Sequence, residues 1–149
     1  MEGEAPGTDV AFIVPGDPAT KGSFKAFVVR GRAHLRNDCK AADAWTQACW
    51  FHGSSVAPDV PSPDDFEVRV TFFKSRPKAL GKKRQGARCN VRPDPDKILR
   101  LLLDSMTGLF YRDDGQVTDV VVRKRYADFG EPARAEVRLI NLTERDKNL

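Results

Sequence analysis

Five carboxylates crowd one short stretch of this chain: Asp94, Asp96 and Asp104, then the adjacent pair Asp113 and Asp114. Like charges held this close repel unless a cation lies between them. Side-chain oxygen is a hard ligand, so the ion that suits the cluster is Mg²⁺, with Mn²⁺ as its substitute, rather than zinc. An EF-hand calcium loop is excluded: begun at Asp94, it would need glycine at its sixth position, where Leu99 stands. Immediately upstream, residues 69–92 carry nine Lys or Arg and no Asp or Glu. Cations at that density attract phosphate. A basic approach leading to an acidic pocket is what metal-assisted hydrolysis of a phosphodiester requires.

These acids need a scaffold. Asp94 stands as the N-cap, and Pro95 in the first turn, of a helix that the pattern carries to about Gly108. At about 100° per residue, Arg100, Asp104 and Thr107 fall within about 80° of Asp96. Ile98, Leu99, Leu102, Leu103, Met106 and Leu109 supply the apolar side that must face a sheet, centred on Ile98, Leu102 and Leu109 opposite Asp96. A purely structural account has Asp94 and Asp96 capping the helix and offsetting its dipole, with surface ion pairs along the stripe at ~0.3–0.5 kcal/mol each. A cap uses one side-chain oxygen, however, whereas Pro93-Asp94-Pro95-Asp96 offers two carboxylates on a proline-stiffened backbone. Phe110-Tyr111-Arg112-Asp113-Asp114 then adds a second acidic pair where the chain re-enters the sheet.

The remaining elements follow from periodicity. Val10 to Val14 reads as a buried strand closed by Pro15-Gly16, and Phe24 to Val29 as a second strand that turns at Arg30-Gly31-Arg32 into a short return through His34-Leu35. A helix from Cys39 to Phe51 sets Ala42, Trp45, Ala48 and Cys49 on one face, with Asn37 or Asp38 as its cap. Trp45, Trp50 and Phe51 at helical spacing read as core or dimer packing. Residues 56–65 hold three prolines and form a loop, and Phe66 to Phe73 alternates as a half-buried strand. Residues 75–92 have almost no large apolar side chain and read as an exposed, mobile loop. Residues 116–126 and 133–142 alternate as a final hairpin pair. Residues 1–8 read as a disordered tail and 144–149 as a polar one, leaving a single domain over 9–143. The expected fold is α+β, a mixed sheet with two main helices packed on one face.

Composition narrows the partners. At 149 residues, 40% hydrophobic and 31% charged, the chain reads as one ordinary globular domain. A net charge of +4 and a pI of about 9.1 favour nucleic acid over an acidic protein partner. Neither a basic amphipathic helix nor a long apolar run is present, so no membrane association is expected. The first residues lack the cationic start and apolar core of a secretion signal. Three cysteines (Cys39, Cys49, Cys89) without CxxC spacing, and two scattered histidines (His34, His52), argue against a disulfide framework or a zinc site. Reduced thiols in a cytoplasmic protein are expected.

The acidic stretch resembles a known family. Asp94-x-Asp96, a cation four residues later at Arg100, and Asp113-Asp114-x-Gln116-Val117 opening a strand that ends in Arg123-Lys124 are similar to the motifs of the RusA-type Holliday junction resolvases of phages and prophages. Val14-Pro15-Gly16-Asp17-Pro18-Ala19-Thr20-Lys21-Gly22 resembles that family's N-terminal Gly-x-Pro-x-x-Lys-Gly, so the likeness spans most of the chain. The resemblance implies a RusA-like fold and a homodimer in the cytoplasm of a bacterial host. It further implies a Mg²⁺-dependent endodeoxyribonuclease that makes paired cuts across four-way DNA junctions. Carried over by position, Asp94, Asp96 and Asp114 would be catalytic and metal-binding, with Asp113 as a further metal-binding helper. Arg100 would occupy the place of the family's catalytic lysine. Two positions depart from the pattern. Lys97 follows the second Asp, where Asn is common, and Arg100 replaces Lys. Arginine stabilises charge but cannot shed a proton near neutrality: if this place must exchange a proton, the protein is impaired or Lys97 takes over, and if it only neutralises phosphate, Arg100 serves.

Lys74, Arg76, Lys82, Lys83 and Arg84 are expected to clamp the DNA backbone, with Lys21, Arg92, Lys97 and Lys124 as further contacts. Of Arg123-Lys124-Arg125, at most two share one strand face. The alternatives are a phage DNA-binding protein whose acids only cap and salt-bridge, and a branched-DNA nuclease of other structure preference. A PD-(D/E)xK nuclease would need an acid-x-Lys triplet on a strand, which Asp119-Val120-Val121 does not supply. A DxD nucleotide-sugar transferase would need a second nucleotide-binding domain that this length does not accommodate.

Overall fold

Alternating apolar residues build the strands and a 3.6-residue repeat builds the helices that cover them. The computed structural model describes residues 8–20, 25–29, 32–36, 40–147 and 149. In chain order the elements are β1 (Asp9–Pro15), β2 (Lys25–Val29), β3 (Arg32–Arg36), α1 (Lys40–Ser54), β4 (Phe66–Lys74), α2 (Pro95–Met106), β5 (Val117–Tyr126), β6 (Arg134–Asn141) and α3 (Leu142–Asp146). Single 3₁₀ turns lie at Lys78–Leu80 and Asp114–Gln116. β2 and β3 form an antiparallel hairpin of their own. The other four strands make one mixed sheet in the order β1-β6-β4-β5.

The expected final hairpin does not form. β6 lies between β1 and β4, antiparallel to both, while β5 runs parallel to β4 at the edge of the sheet. Alternation specifies which face a side chain takes, not which strand lies alongside. A parallel pair needs a long crossover, and here α2 supplies it.

The two long helices pack on the same face. Trp45 and Cys49 of α1, with Ile98, Leu102 and Met106 of α2, bury against Val14, Val68, Val70, Phe72, Val137 and Leu139 of the sheet. Each such fully buried side chain is worth roughly 1.5–3 kcal/mol. The fold is therefore α+β, with two main helices on one side of a mixed sheet. On the far face Ile13, Arg69 and Arg123 remain exposed.

Thr8 and the residues after β6 pack into the fold. Thr8 is buried and its carbonyl accepts a hydrogen bond from Asn141 N at 2.7 Å. The stretch read as a polar tail begins with α3, where the Asn141 side chain accepts from Glu144 N at 2.9 Å and Leu142 is buried. Residues 75–92 are tied down by the turn that follows β5. Tyr126 N donates to Ala87 O at 2.9 Å, Gly86 N to an Asp128 carboxylate oxygen at 2.7 Å, and Phe129 N to Gln85 Oε1 at 3.2 Å. Residues 1–7, Lys21, Phe24, the turn at 30–31, the proposed caps Asn37 and Asp38, and Cys39 lie outside the described residues.

Candidate active site

The N-terminus of α2 presents the first acids. Asp94 occupies the N-cap position with extended backbone and Pro95 follows it, yet the Asp94 side chain makes no capping hydrogen bond. Its carboxylate lies 3.6 Å from Lys97 Nζ instead, on the solvent side. Ile98 and Leu102 anchor the helix in the core, so Asp96 and Arg100 project from its exposed stripe. The helix N-terminus favours negative charge here, and no capping duty occupies the oxygens of Asp94. That removes capping as the explanation for this acid and leaves the helix dipole and the contact with Lys97.

Asp113 and Asp114 are placed by the turn that opens β5. Asp113 and Gln116 stand in the arrangement of a capping box: the Gln116 side chain reaches back to Asp113 N, and Gln116 N donates to the Asp113 carbonyl at 3.0 Å. Asp113 is exposed, so its carboxylate also faces solvent at the turn. Gln116 binds the turn from both ends of its amide. Oε1 accepts from Arg112 N at 2.8 Å and Asp113 N at 2.9 Å, while Nε2 donates to Ser62 O at 2.8 Å and Asp64 O at 2.7 Å. Asp114 is left exposed as the first residue of the turn. Beneath it, the buried Tyr111 hydroxyl donates to Leu103 O at 2.7 Å in the last turns of α2. Burial raises the Tyr111 pKa well above the usual tyrosine range, and the charges of Asp114 and Asp104 raise it further.

One chain does not gather these acids around a point. Among the described residues, no three His, Cys, Asp or Glu side chains group as metal ligands. The crossover explains why. Asp94 and Asp96 stand at the start of α2, whereas Asp104 and Asp114 both act on Tyr111, which is bonded near its end. The eight residues from Asp96 to Asp104 alone span ~12 Å of helix. Convergence within one chain, expected from the sequence, is not what the structure shows. The donor chemistry, carboxylate oxygen throughout, still suits a hard divalent ion.

The cations divide into those that hold the protein and those that are free. Arg76 holds its own loop, donating to Gly81 O at 2.7 Å and to the carbonyls of Lys83 and Ala127. Lys82 sits over the Phe129 ring at 5.3 Å. Lys124 Nζ donates to Val91 O at 2.6 Å. Lys83 and Arg84 are exposed at the loop tip, Lys74 is half-buried at the end of β4, and Arg92 is exposed beside Asp94. Of the aromatic residues of α1, Trp45 is core, whereas Trp50 and Phe51 are exposed.

Sequence reasoning missed the structural roles of Gln116 and Tyr111. The signal for Gln116 was present, since Asp113-x-x-Gln116 has capping-box spacing. Tyr111 carried no such signal, because its partner is a backbone carbonyl.

Comparison with known proteins covers most of the chain. Over 136 residues the chain is 29% identical to the uncharacterized protein YqaN of Bacillus subtilis (strain 168), covering 86% of this chain and 93% of that protein. The family model described as endodeoxyribonuclease RusA matches residues 15–140, a span running from β1 through α2 to β6. With its acids at the start of α2 and at the entrance to β5, this chain belongs to the RusA endodeoxyribonuclease family.

Proposed function

We propose that this endodeoxyribonuclease resolves four-way DNA junctions as a homodimer, making paired Mg²⁺-dependent cuts, with Asp94, Asp96 and Asp114 as the metal-binding acids. Mn²⁺ would substitute. The observation that carries the reading is the Asp94 carboxylate, at a cap position yet not capping, beside Asp96 and a row of cations. The bound ion would supply an acidified water and stabilise the leaving oxygen. Arg100, four residues beyond Asp96 on the same stripe, would neutralise a non-bridging phosphate oxygen. Lys97, 3.6 Å from Asp94, would stand beside Arg100 as a second cation for the phosphate.

The distribution of acids supports two copies rather than one. Since one chain holds Asp96 and Asp114 toward opposite ends of α2, a two-fold partner that sets its Asp114 against this chain's Asp94 and Asp96 would complete two equivalent sites. Such an arrangement also suits a junction cut at two symmetric places.

Mixing inactive variants tests this directly. Asp96→Asn and Asp114→Asn should each fail to nick a synthetic mobile junction in Mg²⁺. Unfolded together and refolded, they should recover nicking, because each heterodimer then contains one intact pair. Activity of either variant alone would remove the metal assignment. Two inactive variants that never complement would remove the shared site. A linear duplex cut as fast as the junction would remove the substrate assignment.

A further inference from the structure

We infer that the edge of β5 beside Asp94 is a track for the sugar–phosphate backbone of the DNA strand that is cut. A cleft of about 610 Å³ runs along this edge, lined by Arg88, Arg92, Arg123, Lys124 and Arg125, with Asp94 as its sole carboxylate. Its walls are held by backbone bonds. Residues 87–89 add a short antiparallel rung to β5, through Tyr126 N to Ala87 O at 2.9 Å and Cys89 N to Lys124 O at 3.4 Å. The Lys124 ammonium closes the far wall on Val91 O. Cys89 is buried beneath.

What marks the cleft as a polyanion site is its unbalanced charge. Other arginines on the sheet have acids beside them: Arg69 pairs with Glu67, Arg134 with Glu131 and Glu136, and Arg138 with Asp9. The side chains of Arg88, Arg92 and Arg123 have no hydrogen bond or ion pair among the described residues, although they share one cleft. Cations crowded together without counter-charge repel one another, and a row of phosphates relieves that repulsion. The single acid at the end of the row belongs to the proposed catalytic set. A backbone lying on Arg88, Arg123 and Arg92 would therefore deliver one phosphate to Asp94.

The assignment of the occupant as the cut strand rests on the nuclease reading, but the affinity for a phosphate backbone does not. Binding is therefore measured without metal. Junction affinity by fluorescence anisotropy in EDTA, across a salt series, is compared for the wild type, Arg88→Gln/Arg123→Gln and Arg88→Lys/Arg123→Lys. Losing two phosphate contacts should weaken binding at least about tenfold at low salt and flatten the log–log salt slope by about 1.8. The lysine pair should restore the slope. Junctions carrying one uncharged methylphosphonate linkage near the crossover should bind the wild type more weakly at one or two positions, with no further loss in the glutamine variant. An unchanged salt slope, or losses that simply multiply at every linkage, would overturn the track. A wild type that binds in this way but never cleaves would sink the nuclease reading and leave the track standing.

Discussion

Replacing Gln116 by alanine should unlatch the turn that carries Asp114, and its cost can be worked from four hydrogen bonds. Two run from Oε1 to backbone N–H groups of the exposed residues Arg112 and Asp113, which water can take over, so each is worth about 0.5 kcal/mol. Two run from Nε2 to the carbonyls of Ser62 and Asp64 in half-buried surroundings, at about 1 kcal/mol each. The loss should come to about 3 kcal/mol, a large part of a stability of 5–15 kcal/mol, roughly, for a domain of this kind. Urea denaturation followed by circular dichroism reads it as a lower midpoint at an unchanged slope. Nicking should fall further than the folded fraction does, because the loosened turn no longer holds Asp114. A loss below about 0.5 kcal/mol, the range of an ordinary surface substitution, would refute the role of the amide.

The other expectations concern the same site and its approach. Tyr111→Phe should cost about 1–1.5 kcal/mol at neutral pH, since one buried hydrogen bond goes while Thr107 Oγ1 still donates to Leu103 O at 3.1 Å. The native Tyr111 hydroxyl keeps its proton where an unfolded tyrosine, near pH 10, loses it. The unfolded state then binds fewer protons, so wild-type stability falls as pH rises above 10; urea midpoints at pH 9 and 11 should show a smaller drop in the phenylalanine variant. Asp114→Asn should leave the urea midpoint unchanged and abolish nicking. Exchanging Lys82, Lys83 and Arg84 for alanine should flatten the salt slope of junction binding by up to about 2.7, and an unaltered slope would deny the loop any contact with phosphate.

The residues differed in what they disclosed. Strand faces and the buried side of α2 were legible because a two-residue or 3.6-residue repeat is local: Ile98, Leu102 and Met106 are buried where the helical wheel places them. The neighbour of β5 was not, since the same alternation serves a hairpin or a parallel edge and only the length of the connection distinguishes them. Trp50 follows Trp45 by five residues, about 140° around the helix, which is why one is core and the other exposed. The basic loop looked structureless because its order comes from backbone bonds to the turn after β5, and such bonds leave no apolar pattern. At the site, charge obscured a cap. Asp113 was read for its carboxylate and belongs to a capping box, while Asp94, standing at a cap position, does no capping. Proline sets the backbone of Asp94 without needing its side chain, so its oxygens remain outside the helix.

Single-turnover cleavage of a four-way junction by Asp96→Asn, with junction affinity measured on the same preparation, tests the assignment of the acids most directly. Cleavage should fall at least about a thousandfold on losing a metal-binding carboxylate, with affinity unchanged or tighter. Cleavage at the wild-type rate would contradict it.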